Sequence, residues 1–180
     1  MDLSEILASA EAKGEKAKYT LRVVDEIEEE VRSDLLRMLE RGAKSSGALR
    51  KQLLEKSHPE DIVDLLLSRF MEVGLIDDFV AAKDLAERLF QRKSKAKSVI
   101  ALELREKGFP KDAIDSALQS IDSEDELKIA KEIALSRMSR MGKLEKSVAE
   151  RRLAGYLGRK GYSSAVVWEA VRFASQELSA

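Results

Sequence analysis

Apolar positions recur along the chain in three matching sets. Leu49 and Leu53 align with Ile100 and Leu104 at an offset of 51 residues, and these align with Leu153 and Leu157 at a further 53. In the same registers Ile62, Val63, Leu66 and Leu67 align with Ala113, Ile114, Ala117 and Leu118, then with Val166, Val167, Ala170 and Val171. Spacings of i, i+3, i+4 and i+7 put each set on one face of an α-helix. A break separates the two sets in every copy: Lys107-Gly108-Phe109-Pro110, Lys160-Gly161-Tyr162-Ser163 and the divergent Lys56-Ser57-His58-Pro59. The pattern predicts two amphipathic helices joined by a tight turn, three times over.

A further helix in front of each pair completes three units. Helices are expected at 31–41, 46–56 and 59–73, then at 79–92, 95–107 and 110–121, and last at 124–140, 145–160 and 163–178. The expected fold class is therefore all-α, a tandem repeat of three three-helix units (31–76, 77–121 and 122–180) forming an elongated curved body. Residues 1–30 stand outside the repeat and read as an acidic, flexible tail, because Lys13-Gly14-Glu15-Lys16 breaks any early helix and Glu28-Glu29-Glu30 is a charge run. Gly108 and Gly161 fall where a helix end calls for a left-handed residue, with Phe109 and Tyr162 folding back on Leu104 and Leu157. Pro59 and Pro110 fit the first turn of the next helix, and Ser123 with Glu126 suits a capping box. With Ser57 in place of glycine, the turn of the first unit should be the least well fixed.

Composition supports helix throughout: 180 residues include only two Pro and nine Gly, and 36% are charged. The absence of cysteine excludes disulfides and thiolate metal sites and suits a reducing compartment. No apolar run approaches a membrane span and no secretory leader pattern opens the chain, so a cytoplasmic protein with no membrane partner is expected. Charge changes the picture more. The net charge is −1, yet residues 92–111 hold 7 basic against 2 acidic side chains and residues 137–161 hold 8 against 2. Residues 112–136 reverse this, with 7 acidic against 2 basic. Two positive stripes suit an acidic or polyanionic partner; the alternative is a pair of solvated helix faces.

Catalytic chemistry finds no footing. The single histidine, His58, sits at a helix-to-helix turn and reads as structural. Asp77-Asp78 follow Gly74 at a helix start, where acids favour the helix dipole, and adjacent residues point apart. Gly155 and Gly158 lie inside a helix, where they suit close packing rather than phosphate binding. Trp168 lies beside the apolar stripe of the last helix and reads as a half-buried packing residue, with base stacking as the alternative. No activated nucleophile is visible. Neither an enzyme nor a cofactor or metal is expected.

The run Gly74-Leu75-Ile76-Asp77-Asp78, the basic loop Arg92-Lys93-Ser94-Lys95 and the segment Glu103-Leu104-Arg105-Glu106-Lys107-Gly108-Phe109 resemble the core signature of RecX proteins, bacterial regulators of the RecA recombinase. The likeness extends over residues 31–178. The chain departs from the family pattern in placing Phe79 directly after the paired acids, with Ala81-Ala82 next. The resemblance implies a monomer that binds RecA, or the RecA–single-stranded DNA filament, and mainly inhibits its ATPase, strand-exchange and co-protease activities. It thus implies a place in homologous recombination, DNA repair and the SOS response, with weak direct binding to single- or double-stranded DNA as a further expectation. On charge, the expected contact residues are Arg92, Lys93, Lys95, Lys97 and Arg105 in the second unit, with Arg151, Arg152, Arg159 and Lys160 in the third. The alternative is a helical-repeat nucleic-acid-binding protein without a RecA-specific role.

Overall fold

The computed structural model describes residues 25–42, 44–142 and 144–178. These form nine α-helices and no strand: α1 (25–40), α2 (Ser46–Glu55), α3 (Glu60–Glu72), α4 (Asp78–Lys93), α5 (Lys97–Glu106), α6 (Lys111–Gln119), α7 (Ser123–Ser139), α8 (Lys146–Arg159) and α9 (Ser164–Glu177). The all-α expectation holds. The chain divides into two compact units, Met1–Asp77 and Asp78–Ala180.

In the first unit the stripes of α1, α2 and α3 close on one core of Val31, Leu35, Met38, Leu49, Leu53, Ile62, Val63, Leu66, Leu67, Phe70 and Ile76. Burying a side chain of this size contributes about 1.5–3 kcal/mol, so three short helices that are marginal alone hold together through this face. The first helix is already formed at residue 25, the first described residue, six residues before the expected start at 31. Sequence spacing hid the reason: Glu28 pairs with Arg32 at 3.1 Å on its own helix and with Arg69 at 2.5 Å on α3, so the acidic run is partly neutralised. The rest of the expected tail, residues 1–24, lies outside the described residues.

The second unit contains two cores. Ala82, Ala86, Leu89 and Phe90 of α4 meet Ile100, Leu104, Phe109, Ala113, Ile114, Ala117 and Ile121. Ala130, Ala134 and Met138 of α7 meet Leu153, Leu157, Tyr162, Val167, Ala170, Val171 and Ala174. The cores are stitched together: Ala96, which precedes α5, is buried in the α7–α9 core, while Ile129 of α7 packs against the α4–α6 core. Alanines at 82, 86, 130 and 134, all fully buried, let α4 and α7 approach their neighbours closely.

The inter-helix turns share one geometry. Phe109 N–H donates to Leu104 O (3.1 Å) and Gly108 N–H to Arg105 O (2.9 Å), the paired bonds of a Schellman cap, with Gly108 at φ 78°. Tyr162 and Gly161 repeat it against Leu157 and Gly158, with Gly161 at φ 85°. His58 and Ser57 repeat it too, although Ser57 must hold φ 66° without the freedom of glycine. The first turn is not loosely held, contrary to expectation. Asp34 of α1, 9% exposed, accepts from Lys56 Nζ (2.7 Å) and lies 2.9 Å from His58 Nε2, clamping both sides of the turn. Hydrogen bonds from Lys56, then from His58, hold the Asp34 carboxyl below its ordinary pKa. Pro59 and Pro110 occupy the N-cap positions rather than the first helical turn, and Ser163 takes that place in the third copy, its Oγ accepting from Val166 N–H at 3.4 Å.

Candidate partner interface

The basic stripe of residues 92–97 runs from the last turn of α4 into the first turn of α5, and its backbone is fixed by the neighbouring repeat. Tyr162 donates its hydroxyl proton to Ser94 O (3.1 Å), and Ser98 Oγ donates to Gly161 O (2.6 Å). Lys97 N–H donates to Glu126 Oε1 (2.8 Å), and Lys97 Nζ to Ser123 Oγ (3.3 Å). The expected capping box is thereby corrected. Asp122 caps α7 through Glu124 N–H (2.9 Å), which frees Glu126 to cap α5, whose own N-cap, Ala96, has no side-chain acceptor. Burial pushes the Tyr162 hydroxyl up to about 12, with the Glu126 charge adding to the effect, so it remains a proton donor at any working pH.

This junction decides how the nine expected contact residues are arranged. Residues 94 and 98, within and next to the stripe of Arg92, Lys93, Lys95 and Lys97, touch the 161–162 turn, which directly follows Arg159 and Lys160 in the chain. Arg105 is not part of that group: it sits eight residues further along α5 than Lys97, about 12 Å away at the rise of an α-helix. Arg151 and Arg152 lie about 10–12 Å back along α8 from Arg159, with Arg152, Tyr156, Arg159 and Lys160 sharing a face by their i, i+4, i+7 and i+8 spacing.

The nine are also unequal in charge balance. Lys95 is ion-paired to Glu103, which holds the Glu103 carboxyl below its ordinary value, and Lys97 is engaged by Ser123. Among the described residues, Arg92, Lys93, Arg105, Arg151, Arg152 and Arg159 make no ion pair and are exposed. Three acids of the unit have other partners: Asp115 pairs with Lys111, Glu169 with Lys131 (2.8 Å), and Glu150 accepts from the Ser175 hydroxyl (2.6 Å). One contributor escaped the sequence reading. Arg137 of α7 lies over the Tyr156 ring, its guanidinium carbon 3.5 Å from the centroid, and Lys160 Nζ is 5.9 Å from the same ring. Only the charge count over 137–161 hinted at it, since no helical spacing links Arg137 to Tyr156.

Another expectation is corrected. Gly155 and Gly158 face solvent, with no packing partner against Gly158 and only the Arg159 side chain near Gly155. Their angular distance from the Leu153–Leu157 stripe is the reason. Trp168 is half-buried, at 51% exposed, and stands outside the α7–α9 core cluster. Asp78 opens α4 as an acid of its first turn, where the dipole favours it. Among the described residues no group of three or more His, Cys, Asp or Glu could hold a metal ion, and no helix is long and apolar enough to cross a membrane.

Comparison with known proteins places this architecture. Residues 77–118 match the family model for the second three-helix domain of RecX, and residues 124–171 the model for its third. A regulatory protein RecX of Streptomyces coelicolor is 34% identical over 149 residues, which span 83% of this chain and 79% of that protein. The chain belongs to the RecX family. A second regulatory protein RecX, from Mycolicibacterium smegmatis, is 33% identical over 148 residues, 80% of this chain and 79% of its own. Among solved structures, a crystal structure of regulatory protein RecX superposes with a TM-score of 0.76 at 25% identity, covering 87% of this chain and 77% of that one. RecX from Lactobacillus salivarius shares the fold, with a TM-score of 0.80 at 16% identity over 84% of this chain and 99% of that one. This RecX-family protein is thus related to proteins named as regulators.

Proposed function

We propose that this chain is a non-enzymatic, cytoplasmic regulator that binds RecA, or the RecA–single-stranded DNA filament, and restrains its ATPase, strand-exchange and co-protease activities. The observation that carries the reading is the set of unpaired cations on the Asp78–Ala180 unit of a RecX-family chain. Arg92, Lys93, Arg151, Arg152 and Arg159 stand exposed and make no ion pair among the described residues, whereas the cations of the first unit are largely paired, as Arg50 is to Asp64 and Glu60. A filament that combines acidic protein surface with phosphodiester backbone is a fitting counterpart for such a face.

Charge reversal of those five residues to Glu tests the reading through co-sedimentation with RecA filaments assembled on single-stranded DNA. Each exposed contact is worth only about 0.2–1 kcal/mol, so the set is changed together. The expected result is loss of filament binding with helix content unchanged, and a weaker salt dependence in partial variants. Parent-level binding by the five-fold variant would overturn the role of these cations. Binding of the parent to naked DNA as tightly as to filaments would instead favour a nucleic-acid-binding protein without a RecA-specific role.

A further inference from the structure

The contacts between α5 and the α8–α9 turn do more than stabilise the fold. Ser98 Oγ donates to Gly161 O (2.6 Å), Tyr162 donates to Ser94 O (3.1 Å), and Glu126 caps the first turn of α5 through Lys97 N–H (2.8 Å). Ala96, in the same segment, is buried in the core of the following repeat. The approach is so close that a Cβ on Gly161 would stand 2.4 Å from Val99 Cγ2 and 2.7 Å from Ser98 Oγ. Four anchors within six residues leave the end of α4 and the start of α5 no independent freedom relative to α8. The residues they hold are the unpaired cations: Arg92 and Lys93 immediately before the anchored segment, and Arg159 immediately before the anchoring turn.

We infer that Gly161 and Glu126 are positioning residues for partner recognition, locking the cations of the second and third repeats into one rigid surface. This rests on the function proposed above and adds to it a reason for the cross-repeat contacts. Two groups of weak surface charges bind an extended partner far more tightly when rigidly joined than when each must be ordered separately, because the second contact becomes intramolecular. The partner chemistry that exploits such a device is a regularly spaced acidic surface longer than one repeat, as a protein filament provides. Each cluster is formed mainly by its own helices, with Ala96 and Ile129 crossing between them, so the contacts at the Gly161 turn can be loosened without emptying either core.

The test uses the full chain and RecA filaments on single-stranded DNA, with affinity read from co-sedimentation at 15 °C, where every variant is first checked by circular dichroism to be folded. Gly161→Ala should lower affinity about tenfold, a modest share of the gain available from rigid linkage. Glu126→Ala should lower it about threefold, whereas Glu126→Gln, which keeps an acceptor for Lys97 N–H, should match the parent. Gly74→Ala is the control: it imposes the same left-handed strain (φ 74°) at the end of α3, where an added Cβ meets nothing within 4 Å, and should leave affinity unchanged. Amide hydrogen exchange at residues 97–100 should quicken in Gly161→Ala and Glu126→Ala but not in Gly74→Ala. Unchanged affinity in Gly161→Ala and Glu126→Ala, or equal losses in Gly74→Ala, would overturn the positioning role. If the five-fold charge reversal also binds as the parent does, the failure lies with the proposed cationic surface; if that variant loses binding and Gly161→Ala does not, it lies with the rigid coupling alone.

Discussion

Substituting two turn glycines with alanine separates backbone strain from crowding. At Gly74 and Gly161 the backbone holds φ of 74° and 85°, a conformation that costs an L-residue about 1–2 kcal/mol. Replacing glycine also stiffens the unfolded chain, which returns about 0.4–1 kcal/mol. Gly74→Ala, whose new Cβ meets nothing within 4 Å, should therefore destabilise by about 0.5–1 kcal/mol. Gly161→Ala carries an added penalty, because its new methyl would overlap Val99 Cγ2 at 2.4 Å and Ser98 Oγ at 2.7 Å. Val99 lies in the first turn of α5, where a β-branched side chain has one strongly preferred rotamer, and Ser98 Oγ is held by its bond to Gly161 O, so neither yields freely. Overpacking of this kind costs about 1–3 kcal/mol, which brings Gly161→Ala to about 1.5–4 kcal/mol. Urea titration followed by far-ultraviolet circular dichroism reads the difference as a shift in midpoint at constant slope. In thermal melts, each kcal/mol corresponds to roughly 2–4 °C for a chain of this size. Equal losses in the two variants would mean that the close approach of α5 to the α8–α9 turn is absent in solution.

Further predictions follow from the same contacts. Ser57→Gly should raise stability by about 1 kcal/mol, since it relieves φ 66° at an exposed position, and a lower melting temperature would contradict the geometry of that turn. Leu104→Ala and Leu157→Ala, both at fully buried sites, should each cost about 2–5 kcal/mol in urea titrations, and a loss below 1 kcal/mol in either would place that side chain outside the core. Asp34 has its folded-state carboxyl below the ordinary value, so its contribution is present above pH about 4 and fades as pH falls through the folded value. Asp34→Asn should therefore lower the melting temperature at pH 7, by an amount that shrinks as pH falls below about 4; a loss independent of pH would show that the charge of the clamp contributes nothing.

Helices and turns were legible because their causes are local. The Leu49–Leu53 and Ile62–Leu67 stripes and their copies lie within one or two turns of themselves, and the Gly108-Phe109 and Gly161-Tyr162 pairs need only their own helix end to form a cap. What escaped the sequence depended on partners far along the chain. Glu126 has the spacing of a capping box, yet serves Lys97, 29 residues away, and Glu28 helps extend α1 by pairing with Arg69, 41 residues away. Lys95 and Lys97 count as positive charge in any sequence tally, and only folding shows Glu103 and Ser123 engaging them. The solvent exposure of Gly155 and Gly158 could have been read from their angle to Leu153 and Leu157, since the same stripe that places the leucines inward places the glycines outward.

The central claim is that the exposed cations of the Asp78–Ala180 unit restrain RecA. ATP hydrolysis by RecA on single-stranded DNA, measured with increasing amounts of this protein and of the five-fold Arg92, Lys93, Arg151, Arg152 and Arg159 to Glu variant, tests it most directly. The account predicts a dose-dependent fall in hydrolysis with the parent, relieved by moderate salt, and hydrolysis close to that of RecA alone with the folded variant. A parent that leaves the rate untouched, or a variant that lowers it as far as the parent does at every salt concentration, would contradict it.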